Sequence, residues 1–222
     1  MGIQRTACVR FFICAVLCLL SVPLGAATLI TTDVGTVGCC YAILDIFNAE
    51  AGWSLTGTYT NVTITAEIDP GSGSGQSGTA FLMTQIGPGT TVADQIATAT
   101  FTASGSSFTA QLNTLFTGLT LGPGNYYLVL SSPAGLGWED AMAGATTTTA
   151  PDVSLLSLNS TFPNPPDALY APASDFSSPL GNNPEFTVTG TPASAVPEPG
   201  SLALLCTALL GLGGTVKRKF LS

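Results

Sequence analysis

Carboxylates are the only side chains in the middle of this chain that could carry acid-base chemistry. The 222-residue sequence contains no His, and its five Lys and Arg residues all lie within the first ten or the last six positions. The interior therefore cannot form a Ser-His-Asp triad, a Cys-His pair or a lysine Schiff base. Glycoside hydrolysis remains, because it needs only two carboxyl groups about 5–9 Å apart. The candidate acids are Glu67, Asp69, Glu139 and Asp140.

A plainer interpretation of these four acids is that they are solvated groups in loops and at strand edges. Nothing in the sequence marks a partner that would raise the pKa of one of them, as a general acid requires. We therefore predict that the protein is not an enzyme. No EF-hand loop occurs, and the nearest approach to a calcium site is Glu139-Asp140 beside Gly-rich sequence, so no metal or cofactor is predicted.

Two tryptophans are candidates for stacking on sugar rings. Trp53 and Trp138 both lie in the middle of the chain, which has no basic residue, and flat aromatic faces suit pyranose rings. Their commoner role in β-proteins is to pack in the core or against a neighbouring strand. Sugar binding is therefore kept as an alternative hypothesis, in which the chain is a carbohydrate-binding module with or without weak carboxylate-dependent glycosidase activity.

Cys39 and Cys40 are the only cysteines that remain once both ends of the chain are set aside. Adjacent cysteines can form a strained vicinal disulfide, pair with another chain or stay as ordinary thiols. Two free thiols are unusual in an oxidising compartment. We favour the vicinal disulfide over a covalent dimer.

The distribution of charge limits the partners of the protein. All thirteen acids lie between Asp33 and Glu198, where there is no basic residue. Such a surface repels nucleic acid and anionic lipid. We therefore predict no nucleic-acid partner.

The middle of the chain has the hydrophobic period of β-strands. Apolar and polar residues alternate over 62–68, and further strands are predicted at 80–86, 96–103, 108–112, 126–131 and 186–189. Residues 104–107 (SGSS) are predicted to turn a hairpin, 186–189 to close the sheet, and 41–50 is the one short helix candidate. These features predict an all-β protein, an antiparallel, jelly-roll-like β-sandwich over residues 28–190.

The first 27 residues have the features of a secretory signal peptide. Arg5 and Arg10 precede an apolar run at 11–20, Pro23 follows it, and Gly25-Ala26-Ala27 supplies small residues for cleavage. We place the cut after Ala26 or Ala27. An uncleaved anchor is disfavoured because ten apolar residues are too few to span a bilayer.

The last 32 residues have a second ordered pattern. Residues 191–200 form a predicted Pro-rich stalk, and 201–216 are apolar and uncharged, long enough for about 24 Å of transmembrane helix. The stalk contains Val196, Pro197, Glu198 and Pro199, and the apolar run is followed by a basic cluster of Lys217, Arg218 and Lys219. The basic cluster would stay cytoplasmic, which leaves the acidic domain outside.

The order of these pieces, from Val196 to Ser222, resembles the PEP-CTERM sorting signal of exported proteins of Gram-negative bacteria. The resemblance implies recognition by exosortase, an integral-membrane enzyme, transient anchoring in the inner membrane, and a link to exopolysaccharide or biofilm production. It concerns the delivery route and not the activity of the cargo.

The sequence thus predicts a non-catalytic protein of the cell surface or extracellular matrix, with extracellular polysaccharide as a partner. A permanently tail-anchored surface protein, in which residues 201–222 persist, is a third interpretation.

Overall fold

The computed structural model describes residues 25–33, 40–43, 48–71, 75–87, 89–103, 109–141, 145–161, 178–179 and 183–193. Residues 1–24 of the predicted signal peptide, Cys39, the motif at 196–199, the apolar run at 201–216 and the basic cluster at 217–219 lie outside the described residues. Within the described ranges, no helix is long and apolar enough to cross a membrane.

The regular structure of the described ranges consists of β-strands and one short 3-10 turn, Val92–Asp94. The strands are β1 (Ala27–Asp33), β2 (Cys40–Ile43), β3 (Asn48–Leu55), β4 (Tyr59–Asp69), β5 (Ser77–Met83), β6 (Gln95–Thr102), β7 (Gln111–Leu121), β8 (Gly124–Ser131), β9 (Gly137–Ala141), β10 (Thr146–Thr149), β11 (Val153–Thr161), β12 (Ser178–Pro179), β13 (Asn183–Pro184) and β14 (Phe186–Pro192).

The strands form two sheets in which every described pair is antiparallel. The eight-stranded sheet has the order β10-β1-β14-β4-β9-β13, with β7 also paired to β4 and β2 also paired to β9. The six-stranded sheet has the order β12-β11-β3-β8-β5-β6. The prediction of an all-β, antiparallel protein is confirmed.

Strand alternation builds one core that both sheets share. In β4 the side chains of Val62, Ile64 and Ile68 are fully buried, whereas the intervening Thr63 and Thr65 are partly exposed, as alternation predicts. Side chains of both sheets belong to the same buried cluster. Across it, the rings of Trp53 in β3 and Phe186 in β14 lie with centroids 5.9 Å apart.

Three predictions about the elements are wrong. The hairpin around 104–107 does not form, because β6 pairs with β5 in one sheet and β7 with β4 in the other. Strand β14 does not close a sheet, since it lies between β1 and β4. The helix candidate at 41–50 contains parts of strands β2 and β3, with 44–47 outside the described residues. Local turn residues mark where a chain reverses, but the partner of a strand depends on long-range packing.

The predicted domain boundaries are close to the ends of the sheet but not identical to them. Ala27, assigned to the signal peptide, lies in β1, and Thr191 and Pro192, assigned to the stalk, lie in β14. Each is held by pairing with a neighbouring strand, Ala27 with Gly190 and Pro192 with Tyr59. The described strands therefore extend from residue 27 to residue 192.

Candidate functional site

Three of the four acids considered from sequence come together where β4 meets β9, whereas the fourth, Asp140, is fully buried and lies opposite Cys40 and Pro184. Ile68 pairs with Trp138 and Asp69 with Gly137. Because Ile68 and Trp138 are fully buried in the core, their neighbours Glu67, Asp69 and Glu139 lie on the opposite, outer face of the eight-stranded sheet. We call these three residues the acidic group.

The acidic group is not solvated in the way that the plainer interpretation supposed. Glu67 and Glu139 are half-buried, and Asp69 is only 1% exposed. Burial raises the pKa of Glu67 above its ordinary value. Burial raises the pKa of Glu139 as well, and the negative charges of Glu67, Asp69 and Asp140 raise it further. The two glutamates therefore hold a proton to a higher pH than an exposed glutamate does.

Asp69 is the innermost member of the acidic group. Its Oδ1 accepts a hydrogen bond from the backbone N–H of Gly71 at 2.5 Å, while its Oδ2 is buried without a hydrogen-bond partner. Among the described residues, no set of three or more Asp, Glu, Cys or His side chains is arranged to hold a metal ion.

The structure places the two candidates for sugar stacking, Trp53 and Trp138, in the core. Both side chains are 0% exposed, so neither ring presents a face to a ligand. Their rings instead pack against Phe186, at centroid distances of 5.9 and 6.5 Å. Trp138 also donates its indole N–H to the backbone oxygen of Glu185 at 2.8 Å. Both tryptophans serve the shared core, which was the commoner role considered for them.

The outer face of the six-stranded sheet has a different character. Met83 and Val129 are fully buried there and pack with the partly buried Phe81, Ile86 and Tyr127. We call these five residues the apolar outer cluster.

Glu50 is buried beside this cluster and was missed by sequence reasoning. It pairs with Val129 in the β3–β8 ladder, is 0% exposed, and accepts a hydrogen bond from Ser157 Oγ at 2.9 Å. Gly52 provides the space for this contact, since a Cβ there would lie 2.6 Å from Glu50 Oε1 and 2.8 Å from Ser157 Oγ. The order Glu50-Ala51-Gly52 was the sequence signal for this buried acid, because it places the small residue Gly52 beside Glu50 on one face of β3.

The end of β14 is held by polar contacts as well as by strand pairing. Thr191 pairs with Thr60 and Pro192 with Tyr59, and Thr60 Oγ1 donates to Thr191 O at 3.4 Å. The Tyr59 hydroxyl donates a short hydrogen bond to the carboxylate of Asp152. Burial, this hydrogen bond and the Asp152 charge together raise the pKa of Tyr59 to about 12. Tyr59 thereby connects β4 to the turn that precedes β11 in the other sheet.

The two ends of the described strands lie next to each other. Ala27, the first residue of β1, is paired with Gly190 near the end of the antiparallel strand β14. The segments that precede β1 and follow β14 therefore leave the eight-stranded sheet at the same end. Of the predicted cysteine pair, Cys40 begins β2 opposite Asp140. Its side chain and all of Cys39 lie outside the description, so the disulfide stays a prediction.

A comparison with family models decides the nature of the C-terminal segment. Residues 195–219 match the PEP-CTERM protein-sorting motif. The chain carries a PEP-CTERM sorting motif near its C-terminus. The motif begins three residues after the end of β14 at Pro192. No curated protein and no solved structure matches the chain.

This match confirms the resemblance of residues 196–222 to the PEP-CTERM sorting signal. It implies export, membrane-anchored sorting and processing by exosortase. It does not extend into the β-strands, so it assigns no activity to the acidic group or to the apolar outer cluster.

Proposed function

We propose that this chain is a non-catalytic component of the cell surface or extracellular matrix, which exosortase processes at the PEP-CTERM tail and which then associates with exopolysaccharide or biofilm. The observation that carries the proposal is the motif match at 195–219, directly after the last strand of the sheet. A folded domain that ends just before a sorting motif is suited to be released intact.

The position of the strand ends supports this route. The segments before Ala27 and after Pro192 leave the same end of one sheet. A signal peptide and a membrane-inserted tail could therefore both reach the same membrane without a strand being pulled out of the sheet. A tail that left from the opposite end would have to run the length of the domain to do so.

The test is to disable the motif and follow the fate of the chain. The variant Pro197→Ala/Glu198→Ala/Pro199→Ala is expected to stay in the membrane fraction with residues 201–222 attached, while the wild-type chain is shortened and released. The matched control is Pro133→Ala/Pro151→Ala, which removes two exposed prolines elsewhere. Release of the motif variant at the wild-type rate would contradict the proposal.

Association with exopolysaccharide is tested by fractionation. In a host strain that cannot make its exopolysaccharide, the released protein is expected in the soluble medium. In the parent strain it is expected to sediment with the matrix. The same distribution in both strains would remove the polysaccharide from the proposal and leave the sorting route in place.

A carbohydrate-binding module with weak carboxylate-dependent glycosidase activity is the second candidate. It is favoured by the acidic group, in which two glutamates of raised pKa lie near each other on one face. Burial of both tryptophans argues against it. Release of reducing ends from the host polysaccharide by the purified chain, lost in Glu139→Gln and in Glu67→Gln, would establish this candidate over the first one.

A further inference from the structure

Strand β6 lies at one edge of the six-stranded sheet, and its pairing with β5 is the regular feature that distinguishes it from the other edges. Among the described residues it pairs only with β5, and residues 97–102 follow that partner without a register shift. Its outward side chains Ile96, Thr98, Thr100 and Thr102 are exposed, and Ile96 is 41% exposed despite being apolar. The strand contains no charged residue and no proline. Edges of this kind are the ones that natural proteins usually protect, because they accept a strand from another chain.

The other described edges are protected in the ways that β-proteins usually employ. Strands β2 and β10 have four residues each, and β12 and β13 have two residues each with a proline. Strand β11 is covered by β12 only at 159–160, and its register against β3 shifts between Leu155 and Ser157. Strand β7 is long, but its register against β4 shifts in three places and Gly118 has a φ of +70°. Bulges of this type twist an edge away from a flat partner. Among the edges that the structure describes, only β6 combines length, regular pairing and neutral side chains.

Charge favours β6 as the place where two copies meet. Thirteen acids and no basic residue lie between positions 33 and 198, so two copies of the domain repel each other over most of their surface. Residues 95–103 contain none of those acids. The nearest acid is Asp94, which already accepts hydrogen bonds from the backbone N–H and the hydroxyl of Thr91.

We propose that β6 is a self-association edge, at which a second copy of this chain adds its own β6 in antiparallel orientation. The symmetric register is centred on Ala99, so that Thr98 of each copy lies opposite Thr100 of the other and Ile96 opposite Thr102. In that register the two Asp94 residues lie at opposite ends of the joint ladder, about 34 Å apart at 3.4 Å per residue, well beyond the Debye length of about 10 Å.

Hydroxyl side chains already contact each other across neighbouring strands elsewhere in this protein. Thr31 Oγ1 and Thr187 Oγ1 lie 2.7 Å apart across β1 and β14, and Ser77 Oγ and Thr102 Oγ1 lie 3.1 Å apart across β5 and β6. Pairing of Thr98 with Thr100 across two copies would repeat that contact twice. It would also join two six-stranded sheets into one continuous sheet without burying a charge.

The test combines hydrogen exchange with sedimentation on the full chain in detergent, over about a hundredfold range of protein concentration. Dimer formation is expected to slow amide exchange in residues 97–102 as concentration rises, and to leave exchange in β10 unchanged. The variant Thr98→Lys/Thr100→Lys places lysines opposite each other in both pairs, and should weaken the dimer at least tenfold, or about 1.4 kcal/mol. The matched control Thr146→Lys/Thr148→Lys adds the same charge to the exposed edge strand β10 and should dimerise as the wild type does.

Three results would overturn the proposal. They are a monomer at every concentration, exchange in 97–102 that does not depend on concentration, and a dimer that persists unchanged in Thr98→Lys/Thr100→Lys. Circular dichroism checks that this variant is folded, and if it is not, exchange in the wild type decides the question alone. Self-association goes beyond the proposed function, because processing and release of the tail would be unaffected by any of these results.

Discussion

The two sheets share one core but differ in what they carry on their outer faces. On the eight-stranded sheet, Glu67, Asp69 and Glu139 lie together near the junction of β4 and β9. On the six-stranded sheet, Glu50 is fully buried beside an apolar cluster that includes Met83 and Val129. Both faces bring carboxyl groups out of water, but by different means.

The difference shows two ways for a protein without interior cations to place acids in a sheet. On the first face, Glu139 is half-buried and other acids lie near it, so that burial and their negative charges raise its pKa. On the second face, one acid is fully buried and its Oε1 is hydrogen-bonded by Ser157, in space left by Gly52. The stability that the first arrangement confers should depend on pH. The stability that the second confers should depend on the space left around Glu50.

The largest expected effect comes from the core that supports both faces. Phe186→Ala removes a fully buried ring that packs on both Trp53 and Trp138, and should lower the free energy of unfolding by about 3–5 kcal/mol. The control Leu112→Ala removes a side chain that is 64% exposed and should change it by less than about 0.5 kcal/mol. Urea denaturation measures both, and equal effects would contradict a core common to the two sheets.

The second prediction concerns shape on the six-stranded face. Gly52→Ala adds a methyl group within 2.8 Å of Glu50, Ser157 and Tyr127, and should cost about 1–3 kcal/mol of unfolding free energy. Gly122→Ala is the matched control, because a Cβ there meets nothing within 4 Å and its φ is not in the left-handed region. If thermal denaturation finds the two variants equally stable, the close approach around Glu50 is not as described.

The third prediction concerns the polar contact between the sheets. Tyr59→Phe removes the donor to Asp152 and should cost about 1–2 kcal/mol at neutral pH. Because the pKa of Tyr59 rises from 10.0 to about 12, its stabilising contribution is complete below pH 10 and is lost as pH rises towards 12. A spectrophotometric titration of tyrosine should therefore lose a component near pH 12 in the variant. An unchanged titration would argue against this contact.

The smallest expected effect is on the acidic group. The raised pKa of Glu139 means that the folded protein binds this proton more tightly than the unfolded chain, so stability falls as pH rises from 4.5 through the folded value. Glu139→Gln removes that loss and should raise the melting temperature at pH 7 by about 1–2 °C, with little change at pH 4. A shift of the same size at both pH values would show that charge is not the cause.

Local patterns predicted a good part of this architecture. The alternation in 62–68 and the β-branched and aromatic residues of 126–131 predicted β4 and β8, because a half-buried strand imposes a period of two. The sorting motif was equally readable, since the order of a proline-containing segment, an apolar run and a basic cluster is contained in about 27 residues. Neither inference needed to know which strands are neighbours.

Features that depend on strand partners could not be predicted in this way. The turn residues at 104–107 indicated a reversal, but not that β6 and β7 would join different sheets. Glu50 is buried because other side chains pack on its face of β3. A hydropathy pattern cannot distinguish such a covered face from one that is exposed to solvent. The acids of β4 and β9 were noted one by one, and only the pairing of Asp69 with Gly137 places them together.

Export and processing are tested by the intact mass of the protein recovered from cells and from the medium, with and without reductant. We expect a released chain that begins at Ala27 or Thr28, keeps every residue through Pro192 and has lost residues 201–222. A mass change on reduction would report on Cys39 and Cys40 in the same experiment. A chain that still ends at Ser222 and occurs only in membranes would contradict processing, as would a released product cut within β14.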